Sequence, residues 1–512
     1  METDRVNEII GEGLKAPNTL PVLTRQRTRP LISYHHEYAF VAIVSGAQLF
    51  TQAALSMSIA PLFHIGDTFD VSNPGQLSWT VAAYSLTVGT FVLPAGRVGE
   101  IFGYKPVFIA GTLWCAMWSL IAGLSSYSHS IIFFDFCRAM QGIGPSFMLP
   151  NAIAIFGSTY PPGRRKDFIF GLFGATAPSG FNVGAFSSAI LAQRLSWEWA
   201  YYLMSIACCL EAALAFFIIP EYEGVSVQRE TGFTLSRLDP LGTLTGVIGL
   251  VLVNIAWNQG PVIGWHVPYV YTVLIMGCAF IGVFFYIEGR VEHPLVPIKR
   301  VNINGCFVLA CTAAGWASFG IWVFYLWEFL LVIRNQSPFQ TAIQSLTWSV
   351  TGLVASVTAG MSLSRVQPSF LMLIAMLGFL VGNILVATQP VNQTFWAQTF
   401  IAFLVTPWGM DMSFPSATVI ISDCFPPHEQ GTAASMVTTI LNYSISIGLG
   451  IAGTIESKIE PTGEDKLRGY RSAWYFAIGI SGLGVLTALA FNLLELVRAH
   501  KKREDVESWS DE

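Results

Sequence analysis

Residues 369–388 read SFLMLIAMLGFLVGNILVAT, a run without a single charged side chain. A run of about 20 apolar residues is long enough to cross the hydrocarbon core of a bilayer as a helix. Thirteen further runs of similar length fill the chain. In chain order, the fourteen runs cover residues 38–61, 76–95, 106–125, 131–156, 168–192, 198–219, 240–257, 268–287, 304–331, 340–362, 369–388, 395–421, 431–454 and 473–496. This pattern predicts an all-α polytopic membrane protein with fourteen transmembrane helices.

The composition also favours a membrane protein. Of the 512 residues, 53% are hydrophobic and 12% are charged, whereas soluble domains carry roughly 25% charged residues. The net charge of −5 gives no reason to expect a nucleic-acid partner. The eight cysteines lie mostly inside apolar runs and show neither paired nor metal-ligand spacing, so we expect no metal and no cofactor.

The distribution of positive charge favours one orientation. With a cytoplasmic N-terminus, the inside segments hold 20 of the 27 Lys and Arg residues and the outside loops hold 6, while Arg138 lies inside a run. Cytoplasmic loops of membrane proteins are rich in Lys and Arg. We therefore expect both termini in the cytoplasm. Asn392 begins an Asn-x-Thr sequon in an outside loop and is a candidate glycosylation site.

The segment after the second run reads GRVGEIFGYK over residues 96–105. It predicts a tight cytoplasmic turn whose glycines allow close backbone approach. Its acid is expected to face a base or a helix N-terminus, and its last base to reach a carboxylate or a lipid phosphate. Such a turn can act as a conformational latch between rocking bundles, although an ordinary charged loop is the alternative. The latch residues are Gly96, Arg97, Gly99, Glu100, Gly103 and Lys105.

Charged residues inside the runs are functional candidates, because burying a charge in a bilayer costs roughly 2.5–3.5 kcal/mol. Asp135 and Arg138 share one face of the fourth run and can neutralise each other, or Arg138 can hold a backbone carbonyl. Asp411 precedes Pro415, and ions often bind where a helix is broken. We take Asp135, Arg138, Glu211 and Asp411 as proton-coupling candidates, with structural pairs or inward charges as the alternative.

Other polar and aromatic residues inside the runs are candidates for lining a substrate cavity. Gln48 and Gln52 are four residues apart on one face of the first run and offer neutral donors and acceptors. Hydrogen bonding between helices is the alternative role of such amides. The remaining cavity candidates are Asn182, Trp316, Glu328, Asn442 and Tyr443.

Several of these motifs resemble those of one family. Residues 96–105 are similar to the signature loop of the major facilitator superfamily. The second run matches the pattern W-x-x-x-x-Y-x-L-T over residues 79–87, and the fourth reads RAMQGIG over residues 138–144. Both resemble the 14-helix drug:proton antiporters, as do the glycines of the fifth run, the WEW of residues 197–199 and the LDPLG of residues 238–242. The resemblance implies two six-helix bundles with two inserted helices.

A narrower resemblance is to a fungal branch with aminotriazole and boron resistance exporters and a low-affinity ammonium transporter. It rests on residues 50–53, 411–415 and 430–453. The chain departs from the superfamily pattern at Glu100, where aspartate is usual, and at Ile101, where a base is usual. The first run carries Gln48 and Gln52 in place of the acid of many 14-helix exporters, which puts export of cationic drugs through that acid in doubt.

The resemblance implies a division of the chain into segments. We expect a cytoplasmic tail over residues 1–37, a six-helix bundle over 38–219, a linker with two extra helices over 220–302, a second bundle over 303–497 and a cytoplasmic tail over 498–512. We further expect a monomer in the plasma membrane, with the vacuolar membrane as the alternative.

The leading hypothesis for function is a secondary active transporter that exports small molecules in exchange for protons by alternating access. The alternative is a facilitator or uptake carrier for a small polar solute such as ammonium or boric acid. A transporter-like nutrient receptor is disfavoured because the expected tails are short. An enzyme is disfavoured because the sequence shows no metal-ligand cluster, activated nucleophile or phosphate-binding Gly-Lys loop.

Overall fold

A computed structural model describes most of the chain. The described residues are 34–160, 164–220, 239–291, 294–296, 300–363, 365–425, 430–461 and 464–510. Most of the predicted N-terminal tail over residues 1–37 and much of the loop before residue 239 lie outside them.

Fourteen long helices match the fourteen apolar runs one for one. They are α1 (Tyr34–Ser56), α2 (Trp79–Phe102), α3 (Tyr104–Leu124), α4 (Ile131–Thr159), α5 (Arg164–Arg194), α6 (Glu198–Ile218), α7 (Pro240–Ile263), α8 (Pro268–Glu288), α9 (Ile303–Glu328), α10 (Pro338–Leu363), α11 (Pro368–Thr388), α12 (Gln398–Ser422), α13 (Gln430–Ile459) and α14 (Lys466–Ser510). Shorter helical segments occupy Leu62–Thr68, Pro74–Leu77 and Ser125–Ser128. A helix satisfies its backbone polar groups internally, which a bilayer requires of any spanning segment.

Within the described residues, eleven of these helices are long and apolar enough to cross a membrane by length and composition alone. The other three, α4, α5 and α12, are also long but less apolar. They carry Arg138, Asn182 and Asp411. The three helices with the weakest hydrophobic signal thus hold three of the predicted site residues.

Several helix ends differ from the predicted bounds. The first helix ends at Ser56 rather than at residue 61, and α2 continues through most of the predicted latch to Phe102. The last helix continues to Ser510, through most of the segment predicted as a tail. Side-chain caps mark other starts: Ser130, Asp239 and Asn302 accept backbone N–H bonds at the beginnings of α4, α7 and α9.

The helices form two bundles with the same pairing. In the first bundle α1 packs on α5, α2 and α3 pack on α4, and α3 packs on α6. In the second, α9 packs on α13, α10 and α11 pack on α12, and α11 packs on α14. Each pair in the first bundle therefore has a counterpart eight helices later, which is the pattern of an internal structural repeat.

The inserted pair and two contacts join the bundles. Helices α7 and α8 pack against each other, and α7 also contacts α13 and α2. The bundles themselves meet where α2 packs on α13 and where α5 packs on α10. These two contacts are equivalent under the repeat, because α2 corresponds to α10 and α13 to α5.

The Asn392 sequon provides a test of orientation. Asn392 is exposed in the segment between α11 and α12, at the end of the molecule opposite the latch. We expect N-linked glycosylation there in eukaryotic cells, because that end is predicted to face outward. The measurement is gel mobility before and after enzymatic deglycosylation, with Asn392→Gln as the variant that loses the shift. An unmodified wild-type protein at the cell surface would contradict this prediction.

Candidate functional site

Arg138 on α4 is completely buried, and each of its three guanidinium nitrogens donates a hydrogen bond. Its Nε donates to the Thr80 carbonyl at 2.9 Å, and one terminal nitrogen donates to the Ala54 carbonyl at 2.7 Å. The other terminal nitrogen donates to Oε1 of Gln141, whose amide in turn donates to the Ser119 hydroxyl at 2.7 Å. The guanidinium therefore connects α4 directly to α1 and α2, and through Gln141 to α3.

Two tyrosine rings enclose the same guanidinium. Its carbon lies 4.7 Å from the ring centroid of Tyr84 on α2 and 5.7 Å from that of Tyr201 on α6. Both contacts are within the range of a cation–π interaction. The Ala54 carbonyl lies in the last turn of α1, where carbonyls lack intrahelical partners and cations are favourable. The alternative in which Arg138 holds backbone carbonyls matches this geometry.

Asp135 forms no direct ion pair with Arg138 in the described chain, although the charge of the arginine acts on the carboxylate. No Asp135–Arg138 salt bridge occurs within the described chain, and Oδ1 of Asp135 has no hydrogen-bond partner there. The reason is that the guanidinium already binds two carbonyls and an amide. Sequence spacing placed the two residues on one face but did not reveal the carbonyls that compete for the cation.

Asp411 lies at the junction between the two bundles. It is buried on α12, and its Oδ2 faces Gly352 on α10, where an added β-carbon would lie 2.9 Å away. The same β-carbon would lie 2.8 Å from the ring of Pro178 on α5, so Gly352 is the close-approach point of three helices. Oδ2 has no hydrogen-bond partner in the parts of the chain that are described.

Glu211 is buried inside the first bundle. Its carboxylate on α6 faces Gly46 on α1, where an added β-carbon would overlap one carboxylate oxygen. Neither oxygen has a hydrogen-bond partner among the described residues. Glu211 and Asp411 are thus both buried with at least one unpartnered oxygen, but only Asp411 lies where the bundles meet.

Asn182 links the two bundles by hydrogen bonds. Its amide oxygen accepts from the Ser345 hydroxyl at 2.6 Å, and its amide nitrogen donates to the Ser349 hydroxyl. Ser349 also donates to the Pro178 carbonyl at 2.7 Å. The two serines on α10 were absent from the sequence analysis because single serines in an apolar run give no signal. Asn182 therefore belongs to the contact between bundles in this conformation.

Five other cavity candidates differ in their hydrogen bonding. Gln48 and Gln52 are partly buried, and the structure gives neither amide a hydrogen-bond partner over the residues it describes. Asn442 bonds within its own helix, whereas the Tyr443 hydroxyl donates to the Leu250 carbonyl of α7 at 3.1 Å. Trp316 is buried and donates to the Ser413 hydroxyl on α12 at 3.1 Å. No hydrogen bond joins any two of these five residues over the described part of the chain.

Glu328 belongs to a polar cluster that the sequence analysis missed. It lies at the end of α9, in the same cluster as Glu456 on α13 and Tyr470 on α14. Glu456 accepts a hydrogen bond from the Tyr325 hydroxyl at 2.8 Å. Glu456 falls outside the predicted run over residues 431–454, but α13 continues to Ile459 and keeps this residue within the helix.

Comparisons with known proteins identify the family. The profile described as Major Facilitator Superfamily matches residues 40–293 and 306–510. The chain belongs to the Major Facilitator Superfamily.

Three solved transporter structures are similar to this chain in fold. A human organic anion transporter, MFSD10 (TETRAN), superposes with a TM-score of 0.60 at 12% identity, covering 88% of this chain and 99% of that one. The proton:xylose symporter XylE gives 0.59 at 12% identity, covering 89% and 95%. The nucleoside transporter NupG gives 0.58 at 14% identity, covering 88% and 98%.

Curated relatives of this superfamily member are transporters. The Low affinity ammonium transporter of Saccharomyces cerevisiae is 53% identical over 91% of this chain and 90% of its own length. Efflux pump terJ of Aspergillus terreus is 43% identical, covering 90% of this chain and 88% of the pump. The Aminotriazole resistance protein of Saccharomyces cerevisiae is 33% identical, covering 92% and 86%. The protein is therefore a multi-pass membrane transporter rather than an enzyme, and the expected fungal branch is confirmed.

The predicted latch of this superfamily member is mostly helical. Only Gly103 separates α2 from α3, and its φ of 98° favours glycine. Arg97 lies 3.2 Å from Glu100 and also donates to the Pro294 carbonyl, in the segment before α9, at 3.0 Å. Lys105 lies over the Phe216 ring, 5.4 Å from its centroid.

The other latch residues pack against neighbouring helices. Gly96 faces the Ser435 hydroxyl of α13, where an added β-carbon would lie 3.1 Å away, and Gly99 faces Asn151 of α4. The segment thus contacts the first bundle, the second bundle and the chain that follows the inserted pair.

Arg138 provides a stability test. Replacing Arg138 with alanine removes three hydrogen bonds and leaves buried groups unpaired, so we expect a loss of roughly 2–5 kcal/mol. Arg138→Lys keeps the charge but not the planar fork and should fall between alanine and wild type. The measurement is thermal unfolding of the purified protein in detergent.

Asp135→Asn is the matched control on the same helix. It removes a carboxylate that has no ion pair with Arg138, so its stability should stay close to wild type. Equal destabilisation by Asp135→Asn and Arg138→Ala would mean that the two side chains act together after all.

Proposed function

We propose that this chain is a secondary transporter that exports small molecules in exchange for protons by alternating access. Asp411 is the carboxylate that binds the transported proton. The observation that carries this proposal is the position of Asp411 beside Gly352 and Pro178, where α12, α10 and α5 meet. A proton bound inside one bundle has no direct means of changing the contact between bundles, whereas one bound at their junction does.

The coupling follows from the cost of burying a charge. A carboxylate with an unpartnered oxygen is tolerated in a buried site when it is neutral and disfavoured when it is ionised. Protonation of Asp411 therefore stabilises the conformation in which α5 and α10 are closed around it. Release of the proton favours a conformation in which that contact opens and water reaches the carboxylate. A ligand that binds two conformations unequally shifts the balance between them by its difference in affinity.

The similarity of this chain to efflux pumps supports export. The proposed solute is a small molecule. Efflux pump terJ and Major facilitator superfamily multidrug transporter mdr3 are 43% and 39% identical to this chain. Arg138 acts in this scheme as a fixed structural group, because its donors are occupied by backbone and amide oxygens. We place the latch and both termini in the cytoplasm and the protein in the plasma membrane, with the two bundles over residues 38–219 and 303–497.

A facilitator for ammonium is the second candidate. It is supported by the 53% identity to the Low affinity ammonium transporter and by Gln48 and Gln52, whose side chains have no hydrogen-bond partners over the described part of α1 and its neighbours. A protonophore separates the two candidates in proteoliposomes. An antiporter loses solute accumulation when the proton gradient collapses, whereas a facilitator continues to equilibrate radiolabelled methylammonium.

Asp411→Asn tests the coupling. We expect proton-driven transport to fall about 5- to 150-fold, the range of typical coupling free energies, because asparagine cannot carry the proton. The measurement is transport into proteoliposomes driven by an imposed pH gradient, at equal reconstituted protein. Asp423→Asn is the matched control, since Asp423 is exposed at the end of the same helix. Unchanged pH-driven transport by Asp411→Asn would remove the proton role from this residue.

A reversible crosslink tests alternating access. Asn182 and Ser345 lie on opposite sides of the α5–α10 contact and share a hydrogen bond of 2.6 Å. With both changed to cysteine in a background lacking the eight native cysteines, oxidation or a short bifunctional thiol reagent should abolish transport, and cleavage should restore it. The single cysteine variants under the same treatment are the controls. Transport that continues in the crosslinked protein would show that this contact does not open during the cycle.

A further inference from the structure

Glu328 is a buried acidic residue that lies away from the junction of the bundles. It is 1% exposed at the last residue of α9, and neither carboxylate oxygen has a hydrogen-bond partner in the described residues. The helix continues from it as a π turn over Phe329–Ile333, and such turns are frequent at functional sites. An ionised carboxylate without a partner is costly to bury, so this position favours the binding of a positive charge.

The polar groups around Glu328 come from three helices. Glu456 on α13 adds a second carboxylate, which accepts the Tyr325 hydroxyl at 2.8 Å. Tyr470 on α14 is buried, and its hydroxyl lies close to Glu328. Lys466, an exposed residue at the start of α14, lies near both carboxylates.

The aromatic content indicates which kind of cation fits. The rings of Tyr325 and Tyr470 lie 5.6 Å apart, between centroids, beside the two carboxylates. Aromatic faces and carboxylates together recognise ammonium groups, through cation–π attraction and charge-assisted hydrogen bonds. Calcium instead needs six to eight oxygen ligands, and magnesium needs an octahedral set that retains water. Two carboxylates and two phenol groups do not supply either arrangement.

We propose that Glu328, Glu456 and Tyr470 form a binding site for a small ammonium-type cation. The site lies in the second bundle at the end of the molecule opposite the latch. It does not depend on the transport mechanism proposed above, because it concerns binding within one bundle rather than coupling between the two. Bound cation satisfies the Glu328 carboxylate and ties the ends of α9, α13 and α14 together.

Thermal unfolding of the purified full-length protein tests this site without measuring transport. Ammonium chloride and methylammonium chloride are titrated at constant ionic strength against sodium chloride and N-methyl-D-glucamine chloride. A ligand that binds only the folded protein raises the midpoint temperature with its concentration. We expect a saturating rise with the two ammonium salts that exceeds any effect of the other two.

Variants assign the effect to the cluster. Glu328→Gln should abolish the ammonium-specific rise, and Tyr470→Phe should reduce it by removing one hydroxyl. Should Glu328→Gln fail to fold, Glu456→Gln carries the same test from the neighbouring helix. Asp411→Asn and Asp135→Asn are the matched controls and should retain the rise, because neither residue belongs to this cluster.

Three results would overturn the proposal. The first is an equal response of the wild type to all four salts, which would be a general salt effect. The second is an ammonium-specific rise that persists in Glu328→Gln and Glu456→Gln. The third is stabilisation by lower pH alone with no ammonium response, which would make the cluster a proton site. Loss of transport in Asp411→Asn with a retained ammonium response would leave this proposal intact, so the two proposals fail separately.

Discussion

The first bundle depends on the guanidinium of Arg138, which donates hydrogen bonds to backbone carbonyls in place of water. Arg138 binds the Ala54 carbonyl at the end of α1 and the Thr80 carbonyl at the start of α2, two helices that run in opposite directions. Ala54 lies in the last turn of α1, where carbonyls lack intrahelical partners, so its buried carbonyl would stay unsatisfied without this donor. One side chain therefore fixes the relative positions of three helices, and Gln141 extends the network to a fourth.

Arg138 and the buried acids differ in whether their charged groups have hydrogen-bond partners. This difference distinguishes a structural charge from functional ones. Each guanidinium nitrogen of the arginine has a hydrogen-bond partner, and its charge is enclosed by two tyrosine rings. Glu211, Glu328 and Asp411 are equally buried, yet each has at least one carboxylate oxygen without a partner over the described residues. A satisfied buried charge stabilises one conformation. An unsatisfied one makes the energy of that conformation depend on whether a proton or a cation is bound.

The sequence predicts the helices well because hydrophobic length is a local property. All fourteen runs became helices, and the repeated pairing of the two bundles followed the family resemblance. Properties that depend on neighbours in space were predicted less well. The spacing of Asp135 and Arg138 indicated a pair, but carbonyls from other helices occupy the guanidinium. The bonds from Asn182 to Ser345 and Ser349 had no signal, since they join residues more than 160 positions apart.

The distribution of the unpartnered acids explains why their roles need not be the same. Glu211 faces α1 from α6 within the first bundle, and Glu328 faces residues of α13 and α14 within the second. If each bundle moves as a rigid body, the surroundings of these two acids change little during the motion. Asp411 alone of the three lies against a residue that contacts the opposite bundle, since Gly352 separates it from Pro178. Its surroundings must change when α5 leaves α10, and a change in surroundings is what couples proton binding to movement.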